Sequence, residues 1–139
     1  MAHSAPRRLL LVVAAALVDG QGRVLLAQRP AHKSLAGLWE FPGGKVEAGE
    51  SPEAALIREL EEELALIVTS DALEPFAFAS HAYESFDLLM PLYVVRDWAN
   101  EPQCLEAQAL AWVHPSAMDA YPMPPADGPL VAKLKAAAL

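Results

Sequence analysis

Gly43-Gly44-Lys45-Val46-Glu47-Ala48-Gly49-Glu50-Ser51-Pro52, running on to Ile57-Arg58-Glu59-Leu60-Glu61-Glu62-Glu63-Leu64-Ala65-Leu66, reads as a glycine-bearing loop that feeds a helix. Ser51 is a good N-cap, and Pro52 has the φ of a first helical residue. Leu56, Ile57, Leu60 and Leu64 then fall on one stripe, at the spacing that faces a core. Glu59, Glu62 and Glu63 stand at i, i+3 and i+4, which gathers their carboxylates on an adjoining face. Like charges so placed repel and need compensation. A solvated acidic face is the ordinary reading of such a run. A hard divalent cation, which prefers carboxylate and carbonyl oxygens, is the other.

The surroundings favour the cation. From Gly44 to Leu66 the residues spell G-x5-E-x7-R-E-L-x-E-E-x-A-L, which resembles the signature of the Nudix hydrolase family. One position departs: the family usually has glycine where this chain has Ala65. A glycine there serves as a helix C-cap with positive φ, so Ala65 predicts a slightly different helix end. The resemblance implies an α/β fold, an α/β/α sandwich with a mixed β-sheet between helices. It also implies one Nudix domain spanning residues 1–139, with its motif at 44–66.

Composition agrees. Hydrophobic content of 54 % with 20 % charged residues describes a globular chain able to bury a core. A formal net charge of −8 argues against a nucleic-acid polymer as partner. A free nucleoside triphosphate is a different matter, because metal ions can bridge its phosphates to carboxylates. The single cysteine, Cys104, excludes an internal disulfide framework and suits a reducing cytoplasm.

Residues 1–18 have the outline of a secretory leader, with Arg7-Arg8 ahead of the apolar run Leu9 to Val18. That run is too short to span a membrane. Asp19-Gly20-Gln21-Gly22 is a turn, and Arg23 to Arg29 a second strand-like segment, so a hairpin with a buried first strand explains the run without export. Pro30 to Gly37 reads as a loop. Leu73 to Ala82 and Leu88 to Arg96 read as strands, the second with Pro91 at an edge or bulge. Ala109 to Val113 is a short strand, Pro115 to Ala120 a short helix or turn, and Leu130 to Leu139 a helix after a proline-rich bend.

The family hydrolyses a nucleoside diphosphate linked to another moiety. The resemblance makes Glu59, Glu62 and Glu63 the metal-binding carboxylates, helped by the carbonyl of Gly43, with Mg²⁺ as the ion and Mn²⁺ able to replace it. Arg58 is expected to pair with an acid of the loop such as Glu50, and with Gly44 these two are given structural roles. Glu106, ahead of Trp112, matches a loop glutamate that approaches the metal in MutT-like members; an exposed loop acid is the alternative. The proton acceptor is left open among Glu59, Glu62 and Glu106.

Gln28-Arg29-Pro30 and Leu38-Trp39-Glu40-Phe41-Pro42-Gly43-Gly44-Lys45 look most like the MutT-type nucleoside triphosphate pyrophosphohydrolases. Arg29 then holds a phosphate, a task suited to a guanidinium fork. Lys45 helps nearby, and Ser34 falls where the family can have a phosphate-contacting histidine. Glu40 and Pro42 belong to the same substrate-facing segment. Phe41 and Tyr83 either line the base pocket or are core aromatics. Asp127 departs from the asparagine of the oxidised-guanine sanitisers: ionised, it only accepts, which suits the exocyclic amine of cytosine, whereas protonated it also donates. The expected activity is Mg²⁺-dependent hydrolysis of a (deoxy)nucleoside triphosphate to monophosphate and pyrophosphate, of the 8-oxo-dGTP sanitising type. A CTP or dCTP pyrophosphohydrolase is the alternative, and a non-catalytic nucleotide-sensing module the alternative of another class. The protein is expected to be a monomer or homodimer, with no membrane partner.

Overall fold

The computed structural model describes residues 6–139. Residues 1–5, and with them the start of the leader-like stretch and of the expected domain, lie outside the described residues.

The chain runs β1 (Arg8–Leu17), β2 (Val24–Gln28), β3 (Trp39–Glu40), β4 (Gly43–Lys45), α1 (Pro52–Leu64), β5 (Leu73–Ala82), β6 (Phe86–Val95), β7 (Ala109–Val113) and α2 (Gly128–Ala137). Short 3₁₀ turns occupy Ser70–Ala72, Pro115–Ala120 and Pro125–Asp127. The strands form a four-stranded mixed sheet, order β4-β1-β6-β5, and a three-stranded antiparallel sheet, order β3-β2-β7.

The apolar run of β1 explains the layering. Val13, Ala15 and Leu17 pack with Leu56, Leu60 and Leu64 of α1, whereas Ala14, Ala16 and Val18 pack with Leu130, Val131 and Leu134 of α2. A strand covered on both faces reads as continuous hydrophobicity, because both of its period-two sets are buried. Asp19 makes the turn as expected, its Oδ1 accepting from the amides of Gln21 and Arg23 at 2.9 and 2.8 Å. The hairpin then stops after one bridge, Val18 to Val24, and β1 and β2 diverge into different sheets.

Pro91 corrects another expectation. It lies in β6, a central strand, not at an edge. The β1–β6 ladder passes from Leu11/Leu89 to Ala14/Leu92, and this interruption accommodates a residue without an amide proton. The end of α1 is also a correction. Ala65 adopts the left-handed cap itself, at φ 59° and ψ 27°, and its amide donates to Glu61 O and Leu60 O. The glycine-type helix end is kept and an alanine occupies it. At the other end Ser51 Oγ accepts from Ala54 N at 3.1 Å.

Candidate active site

The site is built where α1 lies against β4, the edge strand of the four-stranded sheet. A Cβ on Gly43 would sit 2.0 Å from the Val13 carbonyl oxygen, and one on Gly44 would sit 2.4 to 2.7 Å from the Glu59 carboxyl group. Glycine at 44 therefore lets Glu59 pack directly on backbone. The bonds Ala15 N–H to Pro42 O (2.8 Å) and Val46 N–H to Leu11 O (3.1 Å) set the phase of the β1–β4 ladder. In that phase the N–H and C=O of Gly43 point away from β1. Its N–H faces the Glu63 carboxyl, and its carbonyl shares that side.

Arg58 organises the carboxylates around it. It donates to Glu50 through Nε (2.7 Å) and Nη2 (2.8 Å), to Glu59 through Nη1 (2.9 Å), to Glu62 through the same nitrogen (3.3 Å), and to Lys45 O (3.2 Å). The guanidinium thus supplies compensation that the sequence reading assigned to a cation. This arrangement turns Glu59 and Glu62 towards Arg58, and among the described residues no three His, Cys, Asp or Glu side chains are gathered closely enough to hold a metal ion.

Glu63 is the exception to that compensation. Burial, reinforced by the negative charges of Glu59, Glu40 and Glu106, pushes its carboxyl up to about 9. Burial also raises Glu59, against the pull of Arg58 and with help from Glu62 and Glu106. Glu106 reaches this field because its loop is strapped to the end of α1: Gln103 N donates to Leu64 O (2.9 Å) and Leu105 N to Glu63 O (3.2 Å). Carboxylates and an outward backbone carbonyl are the hard oxygen donors a divalent cation prefers, although the rotamers here turn Glu59 and Glu62 to Arg58 and do not gather three of the carboxylates about one point.

A second cluster lies along β3. Arg29 Nη1 pairs with Glu40 Oε2 (3.2 Å), while its Nε donates to Ser34 O (2.7 Å) and its Nη2 to Ser34 Oγ (3.4 Å). The structure therefore brings Arg29, Ser34 and Glu40 together. Burial raises the Glu40 carboxyl, opposed by Arg29 and Lys33. Asp127 is buried at 3 % exposure, and burial together with the charge of Glu40 pushes it up to about 7. Tyr83 packs against the core cluster that holds Ala126, and its hydroxyl is raised by burial and by the charge of Asp127. Phe41 is 5 % exposed and belongs to the same core cluster as Ala126 and Leu130. Of the two aromatics, Tyr83 is the one at the rim beside Asp127. Pro42 is buried with its carbonyl fixed to Ala15, and Lys45 is exposed on β4.

The sequence profile of the NUDIX domain matches residues 13–133. The chain belongs to the Nudix family. It is 44 % identical over 124 residues to the CTP pyrophosphohydrolase of Escherichia coli K12, covering 88 % of this chain and 89 % of that protein. It is 39 % identical over 127 residues to the 8-oxo-dGTP diphosphatase of Haemophilus influenzae, covering 90 % and 91 %. Among solved structures, that of the E. coli ORF135 protein superposes with a TM-score of 0.81 at 40 % identity, covering 94 % of this chain and 91 % of that one. This is a Nudix hydrolase, of a family that acts on small nucleotides and generally needs a divalent metal. Among the described residues no helix is long and apolar enough to cross a membrane.

Two features of this Nudix site escape a reading of the sequence. The strap from Gln103 and Leu105 to α1 is made by backbone amides, which no residue type announces. Glu40 acts at two places, as the acid of Arg29 and as a charge on Asp127, across a sequence separation that spacing does not bridge.

Proposed function

We propose that this Nudix hydrolase cleaves 8-oxo-dGTP and related (deoxy)nucleoside triphosphates to the monophosphate and pyrophosphate, acting as one domain in the cytoplasm, as a monomer or homodimer. The observation that supports this most is Glu59 packed on the bare backbone of Gly44, with the raised Glu63 carboxyl beside it and the charges of Glu62 and Glu106 within reach. These carboxylates, with the Gly43 carbonyl, are the residues to hold Mg²⁺, or Mn²⁺ in its place. When bound, the ion neutralises the polyphosphate and acidifies a water molecule.

The chain's own residues do the rest. Arg58 fixes Glu59 and Glu50, so the loop and the helix keep one geometry. Water adds its oxygen to a phosphorus of the α–β anhydride and that P–O bond breaks. The water proton passes to a carboxylate, with Glu59, Glu62 and Glu106 as candidates, and pyrophosphate leaves. Arg29 exchanges part of its pairing with Glu40 for a substrate phosphate, beside Ser34 and Lys45. Tyr83 flanks the base from the side of Asp127. Asp127, protonated below about 7, both donates and accepts, as the edge of an oxidised guanine requires.

A second reading has its own support. Ionised Asp127 accepts from the cytosine amine, and the E. coli relative at 44 % identity is a CTP pyrophosphohydrolase. A panel of nucleoside triphosphates with Mg²⁺, oxidised and methylated bases included, distinguishes the two. Preference for 8-oxo-dGTP with pyrophosphate release supports the first, and preference for cytidine nucleotides the second. Release of inorganic phosphate in place of pyrophosphate refutes both.

A further inference from the structure

We infer that Arg7, outside the described site, is a positioning residue for base recognition: it clasps the β5–β6 hairpin so that Tyr83 is presented beside Asp127. The inference rests on the reading of Tyr83 and Asp127 as the base pocket. Arg7 lies one residue before the β1–β6 ladder, which begins at Arg8 opposite Phe86. From there its guanidinium reaches the hairpin turn with all three nitrogens. Nη2 donates to Tyr83 O at 2.5 Å, Nη1 to Glu84 O at 3.2 Å, and Nε to Asp87 Oδ1 at 3.1 Å.

One backbone bond, Tyr83 N to Phe86 O at 2.9 Å, closes the turn, and carbonyls at a hairpin end need partners from outside the ladder. The Tyr83 ring stacks on Phe86 at 5.1 Å and 25°, and lies 4.5 Å from His81. The tyrosine side chain packs against the core cluster that contains Ala126, the neighbour of Asp127. Arg7 thus holds the main chain of the residue whose side chain reaches the pocket wall. A guanidinium fork spans two carbonyls and a carboxylate together, a task a lysine ammonium performs only in part.

An exposed ion pair of this kind contributes little to global stability. Its effect is therefore expected in substrate binding. Arg7→Ala should raise KM for the preferred nucleotide by about five- to tenfold and leave kcat within about twofold, the pattern of lost ground-state positioning. Arg7→Lys should recover part of that loss. The partner variant is Tyr83→Ala, which should raise KM at least as much. Removing both should cost no more than Tyr83→Ala alone, because the arginine acts through the tyrosine.

The two ways of failing are separable. If Tyr83→Ala leaves KM unchanged, the base-pocket reading falls and the clasp falls with it. If Tyr83→Ala raises KM while Arg7→Ala does not, or if their effects simply add, the pocket reading stands and the clasp is overturned. A fall in kcat with unchanged KM for Arg7→Ala would also overturn it.

Discussion

Arg58 and Glu50 meet as a two-pronged pair, Nε to Oε2 at 2.7 Å and Nη2 to Oε1 at 2.8 Å, across the junction between the glycine loop and α1. A third prong of the same guanidinium, Nη1, holds Glu59 at 2.9 Å. Whatever disturbs this residue therefore disturbs both the loop shape and the Glu59 carboxylate. Arg58→Lys keeps the charge and loses the fork. It should lower turnover by roughly tenfold or more, judged from the cost of misplacing a catalytic group, with a smaller change in melting temperature. Steady-state rates and a thermal melt check this.

The same pair sets an acid limb of stability. Arg58 and the Glu47 amide hold the Glu50 carboxyl down to about 2, against an ordinary 4.5. A depressed acid contributes stability that is fully present above the unfolded value and is lost as pH falls through the folded one. Melting temperature should thus decline between pH 4.5 and about 2, and Glu50→Gln should flatten that decline. An unchanged limb in the variant would remove Glu50 from the account.

Asp127 carries the opposite sign. Its carboxyl is raised from 3.8 to about 7, first by burial and then by Glu40. Stability from a raised acid is fully present below the unfolded value and is lost as pH rises through the folded one. Asp127→Asn should therefore gain on the wild type between pH 4 and 7, with a slope of up to about 1.4 kcal/mol per pH unit. Base preference should follow the same proton. In the wild type, cytidine nucleotides should gain on 8-oxo-dGTP as pH rises past about 7, whereas the Asn variant should show no such drift.

Gly44→Ala tests the packing of carboxylate on backbone. The added methyl would lie 2.4 Å from the Glu59 carboxyl carbon, so that flexible side chain must swing away. Activity should fall by about tenfold or more while the fold survives. Gly43→Ala meets fixed backbone, at 2.0 Å from Val13 O, and should be the more destabilising of the two.

How far the sequence reached is clear from particular residues. The helix start at Ser51-Pro52 and the stripe Leu56, Leu60, Leu64 are local facts of propensity and period, and the structure carries them unchanged. The strand Ala109–Val113 was legible for the same reason. The split of β1 and β2 into separate sheets was not, because a turn such as Asp19 to Gly22 dictates reversal and says nothing of what each strand pairs with afterwards. Pro91 misled because the edge rule concerns lost amide donors, and a gap in a central ladder satisfies it equally well. At the site, the motif named the acids, but the share of repulsion relieved by Arg58 depends on rotamers that spacing does not encode.

Ala65 offers a test of local strain. It occupies a left-handed cap at φ 59°, where glycine has no steric penalty. Ala65→Gly should stabilise the protein by about 0.5–1 kcal/mol and leave turnover unchanged. A loss of stability would show that the alanine methyl packs usefully there.

The most direct measurement is pyrophosphate release from 8-oxo-dGTP as Mg²⁺ is titrated, in the wild type and in Glu62→Gln. Glu62 is half exposed and only grazed by Arg58, at 3.3 Å, so the variant should melt like the wild type. The wild type should give monophosphate and pyrophosphate in equal amounts, in a saturable response to the ion. The variant should be slower by roughly two orders of magnitude. Equal rates for the two proteins, or full activity after exhaustive chelation, would contradict the account.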